Sequence, residues 1–121
     1  MSHFYLSKEG TIFYALSENP QQNPSLSELV VKDPSLEGKE KHVPVLYLNG
    51  DKLEVSVGST PHPMLEAHHI EWIMLITDKG TQLKRLKANE EPKASFLLEK
   101  DEKILEVYSY CNIHGLWKAN I

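Results

Sequence analysis

The dipeptide Asn49-Gly50, set between Val43–Leu48 and Leu53–Val57, constrains this chain of 121 residues more than any other feature. Two runs of aliphatic and β-branched residues joined by Asn-Gly read as a hairpin, because a two-residue turn needs positive φ angles that those residues accept. The theme repeats downstream. Ile70–Thr77 is β-branched and aromatic and ends at Asp78-Lys79-Gly80. Thr81–Lys87, Ala94–Leu98 and Ile104–Tyr110 follow, separated by Asn89-Glu90-Glu91-Pro92 and Asp101-Glu102, with Leu116–Ala119 as a short last strand. In the Ile104 strand, Leu105, Val107 and Ser109 are expected to oppose Glu106, Tyr108 and Tyr110. Along Thr81–Lys87 the alternation leaves the register open: Leu83 with Arg85, or Gln82, Lys84 and Leu86. Gly58–Ala67, with two prolines, reads as a loop. No segment carries a convincing helical period. About six or seven short strands, with turns roughly every 8–12 residues, predict an all-β fold, an antiparallel β-sandwich of immunoglobulin-like kind.

Residues 1–37 differ in character from 38–121 and are expected to form a short N-terminal arm. Ile12-Phe13-Tyr14-Ala15-Leu16 is a candidate strand, Glu18–Pro24 is turn chemistry, and Leu29-Val30-Val31 is a second candidate strand before Asp33-Pro34-Ser35. The apolar residues are too few for a core of the arm's own, so it is expected to pack on the main domain or on a partner subunit. The chain is 40% apolar and 25% charged, the balance of a globular protein. A net charge of −4 argues against broad nucleic-acid binding. No apolar run approaches the roughly 18 residues of a membrane span, and Met1–Lys8 lacks the basic start and apolar stretch of a signal peptide. The single cysteine, Cys111, cannot close an internal disulfide, and a reducing cytoplasmic compartment is the expectation.

Three segments stand apart from this scaffold: Glu40-Lys41-His42-Val43-Pro44, His62-Pro63-Met64-Leu65-Glu66-Ala67-His68, and Cys111-Asn112-Ile113-His114-Gly115-Leu116-Trp117. They hold four of the six histidines and the only thiol. Taken singly, each has an ordinary alternative: a lone Cys is commonly a small buried hydrophobe, and a lone His a solvated or hydrogen-bonded polar group. Jointly, all five fall at the ends of predicted strands, where sandwich loops cluster. Imidazoles converging with one thiolate suit a mid-to-late first-row transition metal.

The three segments closely resemble the catalytic domain of the superoxide reductases, the desulfoferrodoxin and neelaredoxin family, in order and spacing from about residue 38 onward. The resemblance implies one mononuclear non-haem Fe2+/Fe3+ per chain, with His42, His62, His68 and His114 in a square plane and Cys111 on the axis. It implies one-electron reduction of superoxide to hydrogen peroxide, with electrons from an external small redox protein such as a rubredoxin. Lys41 would steer the anion and position a proton-donating water, and Glu40 resembles the family glutamate that occupies the sixth position in the oxidised state. A homo-oligomer, dimer or tetramer, is expected. His69 stands where the family often has an aromatic residue and is read as structural. His3 is read as solvated, and Trp72 and Trp117 as packing rather than electron relays.

Many members of that family carry an N-terminal desulforedoxin-like domain with a second iron on four cysteines. Phe4–Ile12 looks like a degenerate remnant of it, with Leu6 and Glu9 at cysteine positions and Gln21-Gln22 in place of a cysteine pair, so the arm is expected to hold no metal. Three other readings compete. A cupredoxin-like electron carrier would use an upstream His with Cys111 and His114, but it leaves His62 and His68 unexplained. A binding module would make the histidines incidental. Superoxide dismutation would share the site and differ in stoichiometry.

Overall fold

The computed structural model describes residues 2–33, 35–36 and 38–121; Met1, Glu37 and the expected turn residue Pro34 lie outside the described residues. The chain divides into two compact units, Met1–Val30 and Val31–Ile121.

The smaller unit is a three-stranded antiparallel sheet of order β2-β1-β3, with β1 Phe4–Ser7, β2 Ile12–Tyr14 and β3 Leu26–Glu28. The Phe4 ring, buried, packs on Tyr14 with centroids 5.0 Å apart. The strand expected at Leu29–Val31 is displaced: the pairing falls at Leu26–Glu28, opposite Ser7, Leu6 and Tyr5, and Val30 is exposed. Pairing on both sides of β1 decides this, and the local β-propensity of Leu-Val-Val does not.

The larger unit opens with one helical turn, α1 Lys39–His42, which the sequence pattern does not announce. Seven strands follow: β4 Pro44–Asn49, β5 Lys52–Val57, β6 Ile70–Thr77, β7 Thr81–Arg85, β8 Lys93–Leu97, β9 Ile104–Cys111 and β10 Gly115–Lys118. They form two antiparallel sheets, β4-β5-β8 and β10-β9-β6-β7. The first, second and fifth strands thus share one sheet, while the third, sixth and seventh share the other. That is the immunoglobulin-like partition, with the fourth strand beside the third. The hairpin turn sits one residue later than expected. Asn49 pairs with Lys52, and Gly50, at φ +65°, supplies the positive φ at the first turn position.

The core lies between the two sheets, and the strands feed it by alternation. Leu53, Val55 and Val57 of β5 are fully buried, while Lys52 before them and Glu54 between them are exposed. On β6 the alternation is broken by an extra residue. Ile70 pairs with Cys111 but Trp72 pairs with Tyr110, so Glu71 bulges. The bulge lets Ile70 and Ile73, three apart in sequence, both face inward. A second shift, between Ile76 and Thr77, leaves Leu105 of β9 unpaired. Leu105 is therefore exposed and Ile104 packs on the core, against the expectation that Leu105 shares a face with Val107. Just beyond β7, Leu86 packs on the core while Leu83 is exposed, which closes the register question there. Among the described residues no helix is long and apolar enough to cross a membrane.

Ile73→Ala should lower the unfolding free energy by about 2–5 kcal/mol in urea titration, the cost of a core cavity. Leu97→Ala, at a side chain 70% exposed, should stay within about 0.5 kcal/mol.

Candidate metal centre

Each of the three loops is fixed by its backbone before any side chain is considered. His42 is the last residue of α1, and its carbonyl accepts a 2.7 Å hydrogen bond from the buried Ser109 hydroxyl of β9. Two residues earlier, the Glu40 carbonyl accepts from the Thr60 N–H at 2.8 Å and the Ser59 hydroxyl at 3.2 Å. The β5–β6 loop can come this close because residue 58 is glycine: a Cβ there would stand 2.6 Å from the Glu40 oxygen. In the same loop the His62 N–H donates to Val57 C=O at 2.9 Å, and Leu65 and His68 close a turn through reciprocal N–H···O=C bonds of 2.9 and 3.0 Å. Cys111 ends β9, and Gly115 pairs back to it at the start of β10, leaving His114 on the tip between them.

These loops bring His42, His62, His68, Cys111 and His114 together, one potential ligand atom from each lying within 4.8 Å of all the others. The four imidazoles form a closed circuit. Ring centroids are 4.6 Å apart for His42–His62, 4.8 Å for His62–His68, 5.0 Å for His68–His114 and 4.9 Å for His114–His42. Neighbouring rings stand edge-on, at 68–83°. The Cys111 sulfur is fully buried, with Nδ1 of His114 at 3.8 Å.

The proton inventory identifies what the circuit is suited to hold. His42 Nδ1–H donates to Gly38 C=O at 2.7 Å, and His62 Nδ1–H donates to Pro63 C=O at 2.6 Å. A carbonyl only accepts, so in the neutral ring each Nε2 is left with a lone pair and no proton. Yet the two Nε2 atoms face each other at 3.1 Å. Nε2 of His68 is buried with no hydrogen-bond partner. Two adjacent donors on a metal with bonds of about 2.1 Å at right angles lie about 3.0 Å apart. A cation at the centre of the circuit satisfies the bare Nε2 atoms of His42 and His62 at once and gives the partnerless Nε2 of His68 a role as a ligand, so the residues present fit a metal with nitrogen and sulfur ligands.

Electrostatics agree. Burial, partly opposed by the Gly38 carbonyl, lowers the pKa of His42. Burial takes His62 down to about 4, opposed by the Pro63 carbonyl and helped by the neighbouring imidazoles. His68 is lowered by burial, then by His114 and by the positive charge of Lys41. These three rings are therefore neutral near pH 7, the form that ligates. Burial pushes the Cys111 thiol up, opposed by the backbone N–H groups of His114 and Ile113. The His114 N–H reaches the sulfur at 3.3 Å.

Above the imidazoles opens a cavity of about 420 Å³ lined by Gly38, Glu40 and Lys41 as well as the histidines. Glu40 and Lys41 are both exposed at its rim. His69 lies outside the cluster and donates through Nδ1 to Leu65 C=O at 2.9 Å. His3, in the smaller unit, pairs with Glu28 at 2.8 Å in place of the free solvation expected of it. Trp117 stacks on His42, centroids 4.7 Å apart at 15°, and its Nε1–H donates to His114 C=O at 3.1 Å. Trp72 stacks on Tyr110. Sequence reasoning missed Ser109. Its alternation with Val107 was a usable signal, since an inward hydroxyl must find a partner.

Residues 35–120 match the desulfoferrodoxin family. The chain belongs to that family. A desulfoferrodoxin homolog of Archaeoglobus fulgidus is 52% identical over 83 residues, covering 69% of this chain and 65% of the relative. A desulfoferrodoxin of Clostridium acetobutylicum is 38% identical over 121 residues, covering 97% of this chain and 94% of the relative. Among solved structures, the superoxide reductase from Treponema pallidum superposes with a TM-score of 0.80 at 36% identity, covering 99% of this chain and 98% of that one. The copper-carrier alternative finds no support in these relatives or in the site.

The depressed histidines make the metal-free protein acid-labile. An unfolded histidine titrates near 6.5 and folded His62 near 4, so the unfolded chain takes up protons first as pH falls. Stability present above about pH 6.5 is lost towards pH 4. His62 alone should account for on the order of 1–3 kcal/mol, read from urea midpoints of the metal-free protein across that range.

Proposed function

We propose that this chain is a superoxide reductase. It reduces superoxide by one electron to hydrogen peroxide at a single non-haem iron held by His42, His62, His68, His114 and Cys111. The observation that carries the reading is the closed circuit of four imidazoles, with the unprotonated Nε2 atoms of His42 and His62 facing each other, beside one buried thiol and beneath an open cavity. Iron bound there would supply the transferable electron and a Lewis-acidic centre for the anion.

The residues of the chain do the rest. The carbonyls of Gly38 and Pro63 fix the tautomers of His42 and His62, so both rings present Nε2 without reorganisation. Cys111, buried on the core side of the circuit, would hold the metal as a thiolate and supply electron density to it. The N–H groups of His114 and Ile113 temper that donation by taking up part of the sulfur's charge. Lys41 places a positive charge at the cavity rim of a chain whose net charge is −4, and its field already reaches His68. It draws the anion inward and holds a water from which a proton can be taken. Glu40, on the same helical turn and exposed at the cavity rim, is the carboxylate that would cap the site between turnovers. Binding through the Ser59 and Thr60 bonds to the Glu40 carbonyl holds that turn against the cavity.

Electrons come from an external small redox protein, rubredoxin-like in chemistry. Residues 1–37, read as a degenerate desulforedoxin-like arm, contain no cysteine with which to hold a second iron. The working assembly is a homo-oligomer and the working compartment the cytoplasm.

Purified protein should contain about one iron per chain. When reduced and mixed with superoxide, it should consume one superoxide per iron and form hydrogen peroxide without releasing dioxygen; dioxygen release would mean dismutation. A chain that binds no iron, or a His114→Ala variant as reactive as wild type, would refute the reading. Lys41→Ala should slow the reaction with superoxide about tenfold at low salt and flatten its ionic-strength dependence, with iron content unchanged.

A further inference from the structure

Asn112 lies between two of the proposed ligands, Cys111 and His114, yet its polar groups reach away from both. Its side-chain oxygen accepts a 3.0 Å bond from the His69 N–H, its side-chain amide donates to Ala67 C=O at 3.0 Å, and its own backbone N–H donates to His69 C=O at 3.2 Å. These three bonds straddle a single residue, His68. The clamp joins the Cys111–His114 loop to the Leu65–His68 turn, which His69 closes further through Nδ1–H to Leu65 C=O.

His68 needs such a clamp more than its neighbours do. His42 and His62 each have a carbonyl on Nδ1 that orients the ring. His114 carries its N–H on the Cys111 sulfur. The His68 ring has no such carbonyl: its buried Nε2 is without a partner, no hydrogen bond to its Nδ1 is found among the described residues, and its backbone pairs only within the four-residue turn. The orientation of that ring is thus handed to the segment Ala67–His69, and that segment is held by Asn112.

We infer that Asn112 is a positioning residue that sets the fourth imidazole, His68, in the metal circuit by pinning the peptides on either side of it. The inference rests on the metal site proposed above and names the element that completes it. It also explains the chemistry of the position: a carboxamide offers an acceptor and a donor to opposite sides, which Asp, Ser or Ala cannot reproduce.

The test uses Co2+ as a spectroscopic probe of the full chain, with far-UV circular dichroism confirming that each variant is folded. Asn112→Ala should weaken Co2+ binding by about 10- to 100-fold, the usual range for a residue that orients a ligand. Its d–d bands should move to those of His68→Ala, while the sulfur-to-cobalt charge-transfer band from Cys111 persists. The decisive comparison is the double variant Asn112→Ala/His68→Ala. It should bind Co2+ as His68→Ala does, because a residue acting through His68 has nothing left to lose. Additive losses in the double variant, or an Asn112→Ala protein whose bands and affinity match wild type, would overturn the inference. Should Asn112→Ala not fold, Asn112→Asp enters the same cycle: it keeps the acceptor for His69 but loses the bond to Ala67. A wild-type protein that bound no Co2+ would instead count against the metal site itself.

Discussion

Everything at the functional end of this protein follows from two imidazole nitrogens held where they should repel. The Gly38 and Pro63 carbonyls take the Nδ1 protons of His42 and His62, and the fold then sets the bare Nε2 atoms 3.1 Å apart. In water each lone pair would find a donor; here both rings are buried and neither does. The chain accepts this cost because a cation at the centre turns it into binding energy, and the same burial keeps the rings neutral and ready to ligate. Metal affinity and folding are therefore coupled: the metal stabilises the one arrangement that is strained without it.

The sandwich delivers this arrangement through small departures from regularity. A strictly alternating β6 would set Ile70 and Ile73 on opposite faces; the Glu71 bulge keeps both in the core and leaves Ile70 opposite Cys111 at the strand end. Cys111 can then be both a core residue and a neighbour of His114. On the other sheet, β5 runs out at Val57, and Gly58 permits the next loop to touch the Glu40 carbonyl. The hydroxyl of Ser109, alone among the inward residues of β9 in being polar, anchors His42 from beneath. The end of the core thus becomes the floor of the site.

Much of this was legible in the sequence, and the parts that were not share a physical cause. The strands of the larger unit could be read because Leu53, Val55 and Val57 alternate with polar residues, and because turn residues punctuate the chain. The five residues of the cluster could be read because His and Cys are scarce and fell at strand ends. What could not be read depends on pairing between distant segments. The bulge at Glu71, the outward swing of Leu105, and the choice of Leu26–Glu28 over Leu29–Val31 are set by partners that propensity does not see. The carbonyls of Gly38 and Pro63 were invisible for a plainer reason: backbone acceptors carry no sequence signature, so the groups that fix the tautomers leave no trace in residue identity.

The centre is also polarised, and that polarity bears on how the proposed chemistry could be contained. Its sulfur side is fully buried, Cys111 belonging to the same core cluster as Ile70 and Val107 while its sulfur takes the His114 N–H. On the cavity side the wall is polar: imidazole edges, then Glu40 and Lys41 at the rim. The cavity thus offers an anion the imidazole face, where Lys41 favours it, while the thiol is buried and does not line that cavity. Oxidation of a thiol by the product peroxide requires an exposed thiolate, and the fold denies that exposure. The fully buried cysteine, unremarkable as a core residue, is in this reading what allows an electron-rich ligand to persist beside a reaction that generates an oxidant.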